Sequence, residues 1–448
     1  MLPRKSSSNE KQRAKPGGRA IPSRPAPSSS TSSQSVLVSD ATLYEQVAAR
    51  IDALIVAGTL RPGQRVPSVR KLADQVQVSI STVLQAYRLL EDRGRIEAKP
   101  QSGYYVRARF WTPPPEPAMS RCTMSSTKVS TTDVSVRILQ EGHCPNVVPL
   151  GAALSSPAVM PTRQLNRISA SIGRRMPRLA ASYDPAPGCE LLRVQVARRA
   201  LEAGCTLSPD DVVTTFGTQE AVGLCLRAVA KTGDTIAIES PTFYGLLQLI
   251  QLLGMKALEI PTHPRDGVSL PELRRALDGA AAPVKACLFV NNFNNPLGSM
   301  LPDTKKKQLV EMLAEREIPL IEDDIYGDLG FDSPRPKSAK AFDRRGLVLA
   351  CSSYSKTLAA GYRVGWCAPG RWRDEVAKLK LFTNLATATI PQMAIAEFLA
   401  TGGYEHHLRR VRKVYAGNIA RVTQAVCEYF PPGTKVTRPQ GGFVLWVE

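Results

Sequence analysis

Leu43, Val47, Ile51, Leu54 and Ile55 recur at intervals of three and four, the spacing of one buried helix face, and Gly58 follows as a stop. A turn and a short extended piece occupy residues 60–68. Ser68 is placed to cap a second helix through Val69, Leu72 and Ala73. Ser79 is placed to cap a third, whose Val83, Ala86, Tyr87 and Leu90 face inward. Gly94 closes that helix, and residues 96–100 and 103–106 read as a β-hairpin about Gln101-Ser102. Two short helices joined by a tight turn, then a hairpin, predict a helix-turn-helix with a wing. From Val147 onward the pattern changes. Apolar runs at 212–216, 236–239, 286–290, 319–321 and 346–351 alternate with helical periodicity, which predicts an α/β domain with a mostly parallel sheet.

Composition marks the boundaries. Residues 1–40 are rich in Ser, Pro, Lys and Arg and poor in apolar groups; they cannot bury enough surface to offset their ordering entropy, so a disordered basic tail is expected. Residues 41–106 form the first domain and 147–448 the second. Residues 107–146 read as a linker, stiff through the prolines at 113–117 and flexible over the polar stretch 120–132. No apolar run reaches membrane-spanning length, and the N-terminus lacks an export signal. Nine cysteines without CxxC spacing suggest a reduced, cytoplasmic protein with no disulfide framework. Four histidines without ligand spacing argue against a metal site.

The net charge of +19 suits a polyanionic partner, but it is spread out. The tail holds seven Lys/Arg against two acids and the first domain nine against six, which leaves an excess of 11 for the rest. Charge alone therefore does not mark one nucleic-acid face.

The chemistry concentrates at residues 352–365, Ser-Ser-Tyr-Ser-Lys-Thr-Leu-Ala-Ala-Gly-Tyr-Arg-Val-Gly. One lysine, Lys356, sits among hydroxyls just past an apolar strand, with Arg363 seven residues on. Pyridoxal phosphate (PLP) needs an amine for a Schiff base, and hydroxyl, backbone and guanidinium donors for its phosphate. A loop leaving a strand end is where ligands bind in α/β sheets. The stretch resembles the Schiff-base segment of fold-type I aminotransferases, in the version carried by MocR-type regulators of the GntR family. A Ser-Lys pair by itself is a common surface feature, so the rest of the chain must carry the comparison.

Residues 41–106 resemble a GntR-type winged helix through Gly-Thr-Leu-Arg-Pro-Gly (58–63), Val-Pro-Ser-Val-Arg-Lys-Leu-Ala (66–73), Val-Ser-Ile-Ser-Thr-Val (78–83) and Ser-Gly-Tyr-Tyr-Val (102–106). The resemblance implies a third helix in the major groove of double-stranded promoter DNA and a wing near the minor groove. Arg65, Ser68, Arg70, Ser79, Ser81, Thr82 and Gly103 are the implied DNA-binding positions. Hydroxyls at a helix N-terminus suit phosphates, and Arg70 suits a guanine or a phosphate. Ile80 and Leu84 depart from the arginines common in the family, which leaves base preference open.

In the second domain the resemblance implies a fold-type I aminotransferase-like domain and assigns roles. Gly217, Thr218 and Gln219 open a helix whose N-terminus cups the PLP phosphate, with Ser353, Ser355 and Arg363 completing the cup. Phe243 stacks on the pyridine ring, with Tyr244 as the fallback. Asn295, before Pro-Leu-Gly, hydrogen-bonds the phenolic oxygen and shares it with Tyr326. Asp323 holds the ring nitrogen's proton; Asp324 is the alternative acid, and the spacing of three to Tyr326 favours Asp323. Tyr183, in Tyr-Asp-Pro-Ala-Pro-Gly, reaches the phosphate of a neighbouring protomer, so a homodimer is implied.

The final stretch, 439–448, looks like the first strand of the family's small C-terminal domain. The family's late carboxylate-binding arginine has no counterpart, so little transaminase turnover is expected. The reading is a cytoplasmic, PLP-dependent transcriptional regulator, dimeric, with PLP or a small amino compound as effector. The alternative is a functional aminotransferase bearing a DNA-binding module.

Overall fold

The computed structural model describes residues 42–100, 102–107, 113–130, 153–279, 283–331 and 334–448, with isolated positions between 137 and 151. The expected tail at 1–40, Gln101 of the hairpin, Trp111 and Thr112 of the linker, and Val147 at the domain start lie outside the described residues. Two compact units, Met1–Phe110 and Trp111–Glu448, divide the chain. Among the described residues no helix is long and apolar enough to cross a membrane.

The first unit is α1 (Leu43–Val56), α2 (Val69–Val76), α3 (Ile80–Asp92) and the antiparallel hairpin of β1 (Ile96–Lys99) and β2 (Gly103–Val106). Ser68 and Ser79 cap as expected: their hydroxyls accept the N–H groups of Lys71 (3.3 Å) and Thr82 (3.1 Å). Val83, Ala86, Tyr87 and Leu90 are fully buried against Val47, Ala48 and Ile51. Leu43 does not join them. As the first residue of α1 it overhangs the core and is 62% exposed, so the apolar stripe begins at Val47. Backbone bonds from Val66 to Tyr104 and from Val106 to Gln64 tie the extended piece to the wing, and the Tyr87 hydroxyl donates to Pro67 O at 2.7 Å.

The second unit is built on one mixed sheet. Its strands are β3 (Thr127–Lys128), β4 (Val213–Thr215), β5 (Thr235–Ser240), β6 (Lys256–His263), β7 (Gly267–Val268), β8 (Val284–Phe289), β9 (Leu320–Asp323), β10 (Val348–Ser353) and β11 (Gly365–Ala368). The spatial order is β3-β6-β5-β8-β9-β10-β11-β4, with β7 on β6. The central run β6-β5-β8-β9-β10 is parallel; β11 is antiparallel to both β10 and β4. Strands buried on both faces need continuous apolar runs, and Ile236, Ala237, Ile238, Ala286, Cys287, Leu288 and Ile321 are indeed inaccessible. The helices are α4 (Thr162–Arg175), α5 (Glu190–Ala200), α6 (Thr218–Val229), α7 (Tyr244–Leu252), α8 (Leu270–Gly279), α9 (Asp303–Glu315), α10 (Arg373–Asn384), α11 (Thr389–Ala400) and α12 (Gly403–Tyr429). The C-terminal ends of β4, β5, β8, β9 and β10 share one edge of the sheet, where their loops gather.

Two expectations fail here. The linker's polar stretch is docked. β3 pairs antiparallel with the edge strand β6, and Ser120 donates its N–H to Thr262 O (3.2 Å) and its hydroxyl to Ser240 O (2.5 Å). Pro115 O accepts from Val436 N–H (2.9 Å), and Glu116 pairs with Arg265. An edge strand presents unpaired N–H and C=O groups, and the linker's short polar side chains satisfy them. The final stretch forms no strand. It makes only the isolated bridges Val436–Val447 and Gly330–Gly441. Gly441 lies against the Phe293 ring, where a Cβ would come within 2.5 Å, and Gly442 turns with φ +72°. The glycine pair bends the chain so that Phe443 faces the interior.

Candidate functional site

β10 ends at Ser353, and Lys356 stands three residues beyond it. Its Nζ donates to Ala153 O at 2.6 Å and lies 5.9 Å from the Phe443 ring. Burial pushes this ammonium below the usual lysine range; Arg363 pushes the same way and Asp323 opposes it. A lysine so placed yields a free amine more readily than a surface lysine does. His407 of α12 is buried and donates from Nε2 to Thr357 O (2.7 Å), fixing the backbone next to Lys356.

On one side of Lys356 the structure assembles an anion cradle. Arg363 adopts a left-handed backbone (φ +52°) that turns its guanidinium back onto the sheet edge. It donates to Phe216 O (2.9 Å) and to the Ser355 hydroxyl (3.4 Å). Gly217, at φ +82°, begins α6, and a Cβ there would sit 2.7 Å from Arg363 Nη2. Thr218 is buried and its Oγ1 has no partner, although burying a hydroxyl without a hydrogen bond is costly. Ser353 is buried too, its hydroxyl accepting the Ser355 N–H at 3.4 Å. Gln219 is exposed at the rim. An orphaned hydroxyl, a guanidinium and a helix N-terminus fit a phosphate group.

On the other side lie the groups suited to a ring. Asp323 ends β9, buried, and accepts the Ile325 N–H at 3.2 Å. Burial raises its carboxyl to about 7; Asp324 and Glu322 add to the rise, while the Ile325 N–H and Lys356 oppose it. Such a carboxyl needs a cationic partner to ionise fully. Asp324 faces elsewhere, with both oxygens engaged: Oδ1 by Asn292 Nδ2 (2.8 Å) and Oδ2 by Arg335 Nη2 (2.6 Å). The Asn295 side chain hydrogen-bonds the Tyr326 hydroxyl, whose ionisation burial and Asp323 push upward. Phe243, half-buried at the start of α7, packs on Tyr244 with ring centroids 4.6 Å apart. Tyr183 is 79% exposed. The cradle, the amine and the buried acid together fit PLP.

Three participants escaped the sequence reading. Glu239, buried on β5, accepts Val290 N–H (2.8 Å) and Asn294 Nδ2 (2.9 Å), holding the loop that carries Asn295; burial raises its carboxyl to about 8. Lys306 is fully buried and donates to Asn292 Oδ1, Asp303 Oδ1 and Lys337 O. Arg335 is the third. Only the acid or base at a strand or helix position otherwise apolar could have flagged the first two.

In the first unit Arg65, Arg70, Ser68, Ser79 and Ser81 are exposed, and Thr82 is half-buried. The hydroxyls of Ser81 and Thr82 lie 2.8 and 2.7 Å from Ser79 Oγ, a cluster at the start of α3. Gly103 (φ +101°) lets the Arg65 guanidinium lie against the wing, 3.1 Å from where a Cβ would be.

Comparison with known proteins agrees with this geometry. Residues 43–106 match the model for bacterial regulatory proteins of the gntR family, and residues 154–448 match aminotransferase class I and II. The uncharacterized HTH-type transcriptional regulator YjiR of Escherichia coli is 38% identical over 91% of this chain and 86% of its own length. YdcR of the same organism, described in the same words, is 39% identical over 90% and 86%. Among solved structures, kynurenine aminotransferase of Pyrococcus horikoshii superposes on 72% of this chain and 80% of its own with a TM-score of 0.65 at 27% identity. Class I and II aminotransferases use PLP, and a gntR domain implies DNA binding. With both family models matched in order and regulators of the same build as relatives, the chain belongs to the MocR-type members of the GntR family, a winged helix fused to an aminotransferase class I and II domain.

Proposed function

We propose that this protein is a homodimeric transcriptional regulator that binds promoter DNA through its winged helix and holds PLP on Lys356. PLP, or a small amino compound meeting it there, shifts the population of DNA-binding geometries. The observation that carries the reading is the convergence of a buried, amine-prone lysine, a buried acid and an orphaned threonine hydroxyl beside a guanidinium. When bound, PLP supplies an aldehyde for an amine and an electron-withdrawing ring. The chain's own residues do the rest. Lys356 is the covalent anchor. Gly217, Thr218, Gln219, Ser353, Ser355 and Arg363 hold the phosphate. Asp323 keeps a proton on the ring nitrogen, Asn295 and Tyr326 bind the phenolic oxygen, and Phe243 covers one ring face. Tyr183, bare in its own chain, reaches the partner protomer's phosphate. On DNA, the hydroxyls of Ser68, Ser79, Ser81 and Thr82 meet phosphates, Arg70 reads a base edge or a phosphate, and Arg65 with Gly103 presents the wing.

The test is a PLP titration followed by absorbance, run beside a gel shift on DNA from the chain's own promoter region with and without PLP. A visible band absent from Lys356→Ala, together with a shift that PLP alters, is expected. A protein that turns over a common amino acid steadily and ignores DNA would overturn the reading.

A further inference from the structure

The acid assigned to the ring, Asp323, ends β9, and the tyrosine assigned to its oxygen, Tyr326, sits on the tight turn that follows. The two other acids of that turn, Asp324 and Asp328, face the opposite way, and a single guanidinium joins them. Arg335 Nη2 donates to Asp324 Oδ2 and Nε to Asp328 Oδ1, both at 2.6 Å; Nη1 donates to Pro336 O at 2.9 Å. The side chain is only 11% exposed. It lies directly over Gly327, where a Cβ would stand 2.6 Å from Nη2 and 2.3 Å from Asp324 Oδ1. The clasp is anchored at both ends. Asp324 also accepts from Asn292, which Lys306 holds, and Asp328 also accepts from Tyr404 (2.7 Å) and Arg199 (3.3 Å).

We propose that Arg335 is a positioning residue for the cofactor: by clasping Asp324 and Asp328 across Gly327 it sets the turn that presents Asp323 and Tyr326 to the PLP ring. The inference rests on the PLP reading above and adds to it a group that never touches the ring. Two properties of the guanidinium make the role specific. Its planar fork fixes both carboxylates in direction, which an ammonium cannot do. Its charge also offsets a buried carboxylate and a half-buried one, and the buried one, Asp324, acts on Asp323 electrostatically. Without that charge every nearby proton is held more tightly.

The experiment compares wild type, Arg335→Met, Arg335→Lys and, as a control, Leu273→Ala, which opens a cavity in the apolar core beneath α8. PLP affinity and the pH midpoint of the bound cofactor's visible band are measured for each. Arg335→Met is expected to weaken PLP by about tenfold or more and to raise the spectral midpoint by about one unit. Arg335→Lys keeps the charge and loses the fork, so its midpoint stays near wild type while its affinity falls. Leu273→Ala melts earlier with midpoint and affinity unchanged. If Arg335→Met does not fold, Arg335→Lys decides: wild-type affinity in that variant overturns the proposal, as does a wild-type midpoint and affinity in Arg335→Met. A wild type with no band dependent on Lys356 removes the PLP reading itself, which the variants' behaviour keeps separate.

Discussion

Replacing Gly217 with alanine separates what the cradle does for the cofactor from what it does for the fold. Gly217 sits at φ +82° and ψ 178°, a region reserved for glycine, and forcing a side chain there costs about 1–3 kcal/mol. The new methyl would stand 2.7 Å from Arg363 Nη2, 3.2 Å from Cζ and 3.3 Å from Nη1. These are the far atoms of a flexible side chain, so the guanidinium swings away instead of breaking the sheet. In moving it gives up Phe216 O and the Ser355 hydroxyl, and with them its aim at the phosphate. A charge-assisted hydrogen bond of this kind contributes about 1.5–3 kcal/mol. PLP affinity should therefore fall by about 10- to 150-fold. The assay is an absorbance titration with PLP, with Lys356→Ala as the baseline, beside a thermal melt of the PLP-free protein. A dissociation constant within twofold of wild type would show that Arg363 does not carry the phosphate.

Three further outcomes are expected. Asp323→Asn should weaken PLP and move its band more than Asp324→Asn does, since Asp324's oxygens serve Asn292 and Arg335 and act on the ring only through the turn that they hold; the reverse order of spectral effects would reassign the ring acid. Burial raises the Glu239 carboxyl to about 8 in the folded state against 4.5 for a free glutamate, so the folded state holds the extra proton between those values. Its contribution is present below the unfolded pKa and is lost as pH rises through about 8. The PLP-free protein should melt lower at pH 8.5 than at pH 6, and Glu239→Gln should flatten that slope; equal slopes would remove Glu239 as the cause. Arg70→Ala should cost about 1–3 kcal/mol of DNA binding with relaxed preference at one position if it reads a guanine, or uniform weakening with a shallower salt slope if it holds a phosphate.

The winged helix was legible because its signals are local: two serine caps, glycine stops and four inward positions on one helix, all found where the spacing put them. The strand ends were legible for the same reason, though the boundaries moved: 319–321 became Leu320–Asp323, which puts Asp323 at the last strand position. Spacing favoured Asp323 over Asp324; the group that engages Asp324, Arg335, stands 11 residues further on in a proline-rich loop where an arginine reads as solvated. Partners so distant leave no periodic trace. The linker misled for a related reason. Ser120, Cys122 and Ser126 look like spacer residues until β5 and β6, more than 100 residues away, supply acceptors for them. At the chain's last stretch, the apolar run outweighed the Gly441-Gly442 pair in the reading, yet the glycines govern the backbone.

The docked linker also bears on how the protein can be dissected. A fragment cut where the aminotransferase match starts, at residue 154, would leave behind β3 and the serines that cover β6. The outer rim of that sheet would then be an open template for another copy, and edge-to-edge association is the expected fate of such a fragment. Beginning the excised unit at residue 113 keeps the cover in place, so its solubility should depend on residues 113–130, which close the sheet's edge.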